Sequence, residues 1–113
     1  MRQKTVFEKI IAREILSEIL LEDDDIAVIR DIDPQAPVHV LIVPKKVIPR
    51  VADAGDGDCE LLGKLLLTAR KFAALNNLTG FRLVINSGIQ AGETVPHMHV
   101  HLLSGRPMGW PPG

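Results

Sequence analysis

The feature that most constrains this chain is the run His97-Met98-His99-Val100-His101-Leu102-Leu103, three histidines at alternate positions in a stretch otherwise made of strand-forming residues. Side chains of an extended chain alternate between faces, so the spacing predicts a strand from Val95 to Leu103 with all three imidazoles on one sheet face. Neutral imidazole is a nucleophile, an acid-base group and a metal ligand near physiological pH, which is more than packing alone asks of three neighbours. That face is the expected active site, and it takes three of the four histidines of the chain.

The rest of the sequence supplies the other elements of one compact domain, 1–113, a length near the modal domain size that allows a modest core. Thr5 to Ala12 reads as a short helix, with Thr5 as N-cap, Glu8 completing a capping box, and Phe7, Ile10 and Ile11 on the buried side. Glu22 to Asp25 reads as a turn. Ile26 to Asp31 reads as a strand ending before Asp33-Pro34, and Val38 to Pro44 as a second strand covered on both faces. Asp53 to Asp58 lacks the ligand pattern of a calcium loop and instead leads a long helix, Asp58 to Asn76. Leu61, Leu62, Leu65, Ala69, Phe72 and Ala73 repeat there at helical spacing. Leu66 and Leu67 widen that stripe, which fits a second subunit and plain core equally. Phe81 to Asn86 and Val95 to Leu103 complete the strands, joined by the loop Ser87 to Glu93. This order predicts an α+β fold on an antiparallel sheet, with neither the dinucleotide nor the P-loop glycine pattern.

Charge and composition remove several classes of function. The net charge is −1, and Lys and Arg are scattered, with Lys45-Lys46 the densest pairing, so polymeric DNA or RNA is not an expected partner. Glu8, Lys9, Arg13 and Glu14 interrupt the N-terminal apolar residues, which excludes a signal-peptide core or membrane span there and leads to the expectation of a cytoplasmic protein. Cys59 is the single cysteine, so no internal disulfide forms, in agreement with a reducing compartment.

Two chemistries fit alternate histidines. Residues i and i+2 of a strand lie roughly 6.5–7 Å apart, close enough for two imidazoles to tilt onto one zinc ion, with His39 or His101 as a third ligand. Alternatively His99, the central imidazole, attacks a phosphorus centre, and its neighbours and the backbone N–H groups of the glycine-containing loop hold the phosphate oxygens.

The histidine run resembles the His-φ-His-φ-His-φ-φ signature of the histidine-triad nucleotide-binding and hydrolase superfamily, where φ is an apolar residue. The segment Ile32-Asp33-Pro34-Gln35-Ala36-Pro37-Val38-His39-Val40-Leu41-Ile42-Val43-Pro44-Lys45-Lys46 resembles the one that carries the fourth family histidine. The tail Gly105-Arg106-Pro107-Met108-Gly109-Trp110-Pro111-Pro112-Gly113 looks like that of the Hint branch. The resemblance implies a sheet of about five antiparallel strands with one long and one short helix, continued into a larger sheet by homodimerisation. It also implies a phosphoramidase for purine nucleoside 5′-phosphoramidates that needs no metal or cofactor, with AMP, GMP or their phosphoramidates as ligands.

Carried over by residue, the resemblance makes His99 the nucleophile, His97 and His101 its phosphate-binding, orienting or proton-relay neighbours, and His39 their buttress. Asp31 takes the ribose hydroxyls. Asn86, Gly92, Glu93 and Thr94 lie at phosphate-binding positions. Phe7, Ile10, Ile29, Ile32 and Leu41 wall the purine, and Trp110 reaches toward the partner subunit's site. Glu93 departs from the usual Gln: an ionised carboxylate only accepts hydrogen bonds and repels phosphate, so either its side chain points away or substrate binding weakens. Thr94 keeps the hydroxyl of the commoner Ser, and Pro96 removes a backbone donor just ahead of the run. The alternatives to catalysis are a nucleotide-binding sensor module with little turnover and a zinc-binding protein built on the histidine cluster.

Overall fold

The computed structural model describes residues 2–113. Five strands form one antiparallel sheet: β1 (Ile19–Glu22), β2 (Ile26–Arg30), β3 (Val38–Pro44), β4 (Phe81–Val84) and β5 (Val100–Ser104). They lie in the order β1-β2-β3-β5-β4, so β2, β3 and β5 occupy the interior and β1 and β4 the edges. Two helices pack on the sheet, α1 (Val6–Ile11) and α2 (Cys59–Leu75). Among the described residues no helix is long and apolar enough to cross a membrane.

The alternation of side chains explains why β2 and β3 are apolar almost throughout. Ile26 and Val28 of β2, Val40 and Ile42 of β3, and Val100 and Leu102 of β5 meet Leu65, Ala69 and Phe72 of α2 on one face. Ala27, Ile29, Leu41 and Val43 point the other way and meet Phe7 and Ile10 of α1. Each fully buried Val, Leu or Ile contributes about 1.5–3 kcal/mol, so these two clusters carry the stability of the sheet. The helices differ greatly in reach. Seventeen residues of α2 extend about 25 Å across their face. The six residues of α1 cover only a corner of theirs, leaving open the face that carries His101.

Local chemistry sets the boundaries. The Thr5 side chain accepts from Glu8 N–H while the Glu8 carboxylate accepts from Thr5 N–H, the capping box expected for α1. Asp23 Oδ1 accepts from the N–H groups of both Asp25 and Ile26, which turns the chain between β1 and β2.

β2 ends at Arg30 and not Asp31, β4 at Val84 and not Asn86, and two further strands depart more from the sequence reading. Ile19–Glu22, not recognised as a strand, pairs with β2 through a register irregularity between Ile19 and Leu21, so its conformation is imposed by a long-range partner. The last strand starts at Val100, not Val95. Pro96 has no N–H to give, His97 N–H turns back to the Val95 carbonyl (2.8 Å), and Met98 N–H goes to the Ile48 carbonyl (2.7 Å). Only His101 of the three histidines is therefore a strand residue.

Candidate active site

The four histidines form a row of ring contacts on the sheet face that α1 covers incompletely. Phe7 sits edge-on to both His97 (centroids 5.6 Å apart) and His99 (4.8 Å). His99 then meets His101 at 4.9 Å, and His101 meets His39 at 5.2 Å.

The hydrogen bonds fix the protonation pattern of each ring. His97 is fully buried. Its Nε2 lies 2.7 Å from the Pro44 carbonyl, which can only accept, so Nε2 carries the proton and Nδ1 accepts from the Thr5 hydroxyl at 2.6 Å. Both nitrogens are thus engaged, and His97 has none to offer a metal or a substrate. His99 Nδ1 lies 2.8 Å from the His97 carbonyl and must donate to it, which leaves the neutral ring with its lone pair on Nε2. Burial holds the His99 pKa below the ordinary histidine range, so the ring is neutral near pH 7.

His39 and His101 are linked differently. The Gln35 N–H donates to His39 Nδ1 (3.0 Å), so His39 carries its proton on Nε2 and gives it to His101 Nδ1 at 2.9 Å. His101 in turn carries its proton on Nε2. Asp31 Oδ2 stands 3.4 Å from His39 Nε2, while Asp31 Oδ1 accepts from Asp33 N–H at 2.8 Å. Burial first, then the neighbouring rings of His99 and His39, push the His101 pKa down to about 4.

Two clefts open on either side of His99 and His101, and Asp31, Thr94 and both rings belong to both. The first, of about 270 Å³, is mainly apolar and is walled by Phe7, Ile10, Ile29, Ile32 and Leu41. The second, of about 250 Å³, is lined mostly by polar residues, with Asn86, Glu93, Asp33, Gln35 and His39 around Gly92. An apolar slot joined to a polar one across an unprotonated imidazole nitrogen suits a ligand with a flat apolar ring at one end and a charged group at the other.

Almost every residue singled out in the sequence converges here. Ile32 lines the apolar cleft while remaining 94% exposed, so it is a rim and not yet a wall. Trp110 is 84% exposed and lines neither cleft within one chain. His97 lies behind the cleft surface, sealed off from it. Sequence reasoning gave Thr5 only its capping role and passed over Arg50, whose guanidinium grips Glu93 through Nε (2.9 Å) and Nη2 (3.0 Å). The signal for Arg50 was the unusual carboxylate itself, which needs a cation when it is held in a cleft.

The donors able to share a metal ion are Asp31, His39 and His101, whose ligand atoms lie within 4.8 Å of one another. This differs from the zinc set expected from alternate spacing, because His97 is committed to Thr5 and Pro44. The remaining donors are engaged too, since the facing nitrogens of His39 and His101 already hydrogen-bond each other.

The fold and the histidine row define a nucleotide-sized site of the histidine-triad type, and comparison with known proteins agrees. The family model of the HIT domain matches residues 12–108, and the chain belongs to the HIT family. It is 52% identical over 114 residues to a HIT-like protein of Synechocystis sp., covering the whole of both chains. It is 46% identical over 112 residues to adenylylsulfatase HINT1 of Arabidopsis thaliana, covering 96% of this chain and 76% of that one. The structure of a HIT family hydrolase from Legionella pneumophila Philadelphia 1 superposes with a TM-score of 0.94 at 46% identity, covering 97% of this chain and 100% of that one.

Proposed function

We propose that the protein hydrolyses the P–N bond of purine nucleoside 5′-phosphoramidates through a covalent nucleotidyl-His99 intermediate. The observation that carries this reading is the tautomer of His99: its proton is committed to the His97 carbonyl, and its free Nε2 belongs to a ring that borders both clefts. The purine lies in the apolar cleft against Phe7, Ile10, Ile29 and Leu41, and Asp31 accepts from the ribose hydroxyls. Asn86, Thr94 and the backbone around Gly92 and Glu93 hold the phosphate.

In the first step His99 Nε2 bonds to phosphorus and the P–N bond breaks. The departing nitrogen takes one proton, and His101 is the group assigned to deliver it from Nε2, as the imidazolium that the bound phosphate anion stabilises, returning to the neutral ring. Water then cleaves the His99–P bond, the nucleotide leaves with the water oxygen, and the second proton of that water restores His101. An amine suits the polar cleft, since Asp31 and Asp33 line it, no Lys or Arg does, and Glu93 is already held by Arg50. The Arabidopsis relative, an adenylylsulfatase by name, suggests the same attack with a different leaving group. Sulfate leaves as an anion and meets the Asp33 carboxylate unfavourably.

Two further features complete the reading. Leu66 and Leu67 stand half-exposed on α2, and β4 is paired on one side only, which suits a homodimer formed through the helix and the sheet edge. The lone, unbridged Cys59 suits the reducing cytoplasm.

The test is to incubate the protein with adenosine 5′-phosphoramidate and follow AMP by chromatography, beside His99→Ala and a chelator-treated sample. AMP release is expected to survive the chelator and to fall by more than a thousandfold in the variant, which still binds AMP. Undiminished turnover in His99→Ala would refute the nucleophile. Loss of release with the chelator would move the reading to a metal site, and no release by the unaltered protein to a binding module.

A further inference from the structure

We propose that Arg50 is a positioning residue for the nucleotide site, acting through Glu93 to neutralise and fix the loop that faces His99. The inference rests on the reading of the site as one for an anionic phosphorus centre, and it begins from a conflict in the sequence. Glu93 puts a carboxylate on the cleft where a phosphate must sit. An unpaired carboxylate there repels the ligand, and a partly buried one without a partner is costly in itself.

Arg50 resolves both problems. It binds the Glu93 carboxylate as a two-pronged fork, Nε to Oε1 at 2.9 Å and Nη2 to Oε2 at 3.0 Å, the strongest geometry for such a pair. Oε1 also accepts from Gly88 N–H at 2.9 Å, so the carboxylate takes three donors, and its side chain is only 9% exposed. The guanidinium first, then the Gly88 bond, hold the Glu93 pKa below the usual carboxylate range, and the residue stays ionised. The carboxylate of Asp53 holds Arg50 from its other side.

The pair also sets the loop. Glu93 N–H donates to the Gly88 carbonyl (3.2 Å), so side chain and main chain of Glu93 both close on Gly88. Gly88 sits at φ 95°, a conformation that glycine adopts without steric cost. The Arg50 segment is tied to the site at two further points: the Ile48 carbonyl accepts Met98 N–H (2.7 Å), and Ala52 N–H donates to the Ser87 hydroxyl (3.3 Å). Residues 48–52 therefore brace the start of the loop, its end, and the stretch that delivers His99. Thr94, the next residue after Glu93, lines both clefts. Without Arg50, the site keeps a naked anion and loses the hold on Thr94.

The decisive experiment compares Arg50→Gln, Arg50→Lys and the double variant Arg50→Gln/Glu93→Gln with the unaltered protein. It measures kcat and KM on adenosine 5′-phosphoramidate and, independently, AMP affinity by calorimetry. Arg50→Gln is expected to lower kcat/KM about tenfold, mostly through KM, and to weaken AMP binding similarly. Arg50→Lys restores part of the loss, because it returns the charge without the fork. The double variant restores most of it, because a neutral amide no longer repels phosphate and can donate to it. Values for Arg50→Gln within twofold of the unaltered protein on both measures would overturn the proposal, as would a double variant no better than Arg50→Gln. Should the unaltered protein release no AMP, the phosphoramidase reading fails, and AMP affinity alone decides this one: a loss rescued in the double variant supports it, and an unchanged affinity overturns it.

Discussion

His97 and His99 each give their proton to a main-chain carbonyl, whereas His39 and His101 are joined ring to ring with Asp31 alongside. A carbonyl can neither donate nor exchange a proton, so the first pair is locked in one tautomer and serves to place a lone pair. An imidazole can do either. The second pair is therefore the one to which the proposed proton delivery is assigned, and it ends on a ring that faces the clefts. One residue type on neighbouring positions has been divided into a static half and a ring-linked half by what each ring touches. The division coincides with a change of backbone, since the static pair lies on the bent segment ahead of β5 and the ring-linked pair on β3 and β5.

The strongest way to break this comparison is to remove one ring from each half. His97→Ala empties a sealed position and takes from the Thr5 hydroxyl the acceptor of its proton and from the Pro44 carbonyl the ring N–H, so it is expected to cost about 3 kcal/mol in urea unfolding. His101→Ala removes a half-buried ring, and His39 Nε2 keeps Asp31 Oδ2 as a neighbour at 3.4 Å. Its stability cost is expected to stay near 1 kcal/mol, while AMP release falls about a hundredfold or more. If His97→Ala unfolded no more easily than His101→Ala, or if His101→Ala kept its rate, the contrast would dissolve.

A smaller effect sharpens the role of Asp31, which the proposed reading assigns to the sugar and which also stands beside His39. Its Oδ1 is engaged by Asp33 N–H, and Oδ2 faces His39, yet each oxygen keeps a lone pair for a hydroxyl. Asp31→Ala is expected to raise KM for the ribonucleoside phosphoramidate about tenfold to a hundredfold and for its 2′-deoxy analogue several times less. KM and kcat measured on the two substrates separate the roles. Equal losses on both would mean that Asp31 serves His39 alone and does not read the sugar.

The sequence carried the composition of the site better than its geometry. Period-two spacing placed His99 and His101 on one cleft, and the apolar runs of β2 and β3 announced strands covered on both faces. The same spacing misled at His97. The sequence shows Pro96, but not that Met98 N–H finds Ile48 and that the chain therefore bends before Val100. β1 was illegible because Ile19–Glu22 has no strong alternation of its own and is made a strand by β2. Glu93 was legible as an anomaly, but its resolution lay 43 residues away at Arg50. Long-range pairing of this kind leaves no periodic trace.

The smallest expected effect is on the pH dependence of stability. The folded pKa of His101 lies at about 4, and those of His97 and His99 are also lowered, all with burial as the first cause, against an ordinary histidine value near 6.5. Between those values the unfolded chain binds more protons than the folded one, so stability is expected to fall as the pH drops from about 6.5 to 4. Above pH 7 both states hold these rings neutral and the contribution is flat. Below about 4.5 the carboxylates of Glu8 and Glu22, pulled down to about 2 chiefly by Arg2 and Arg13, extend the loss. Melting temperatures of the unaltered protein and His101→Ala over this range apportion the effect, and the variant is expected to be less steep by a few °C. An unchanged slope would assign the acid sensitivity to the locked pair, in which a second proton breaks the His97 bond to Thr5 or puts a charge on the largely buried ring of His99.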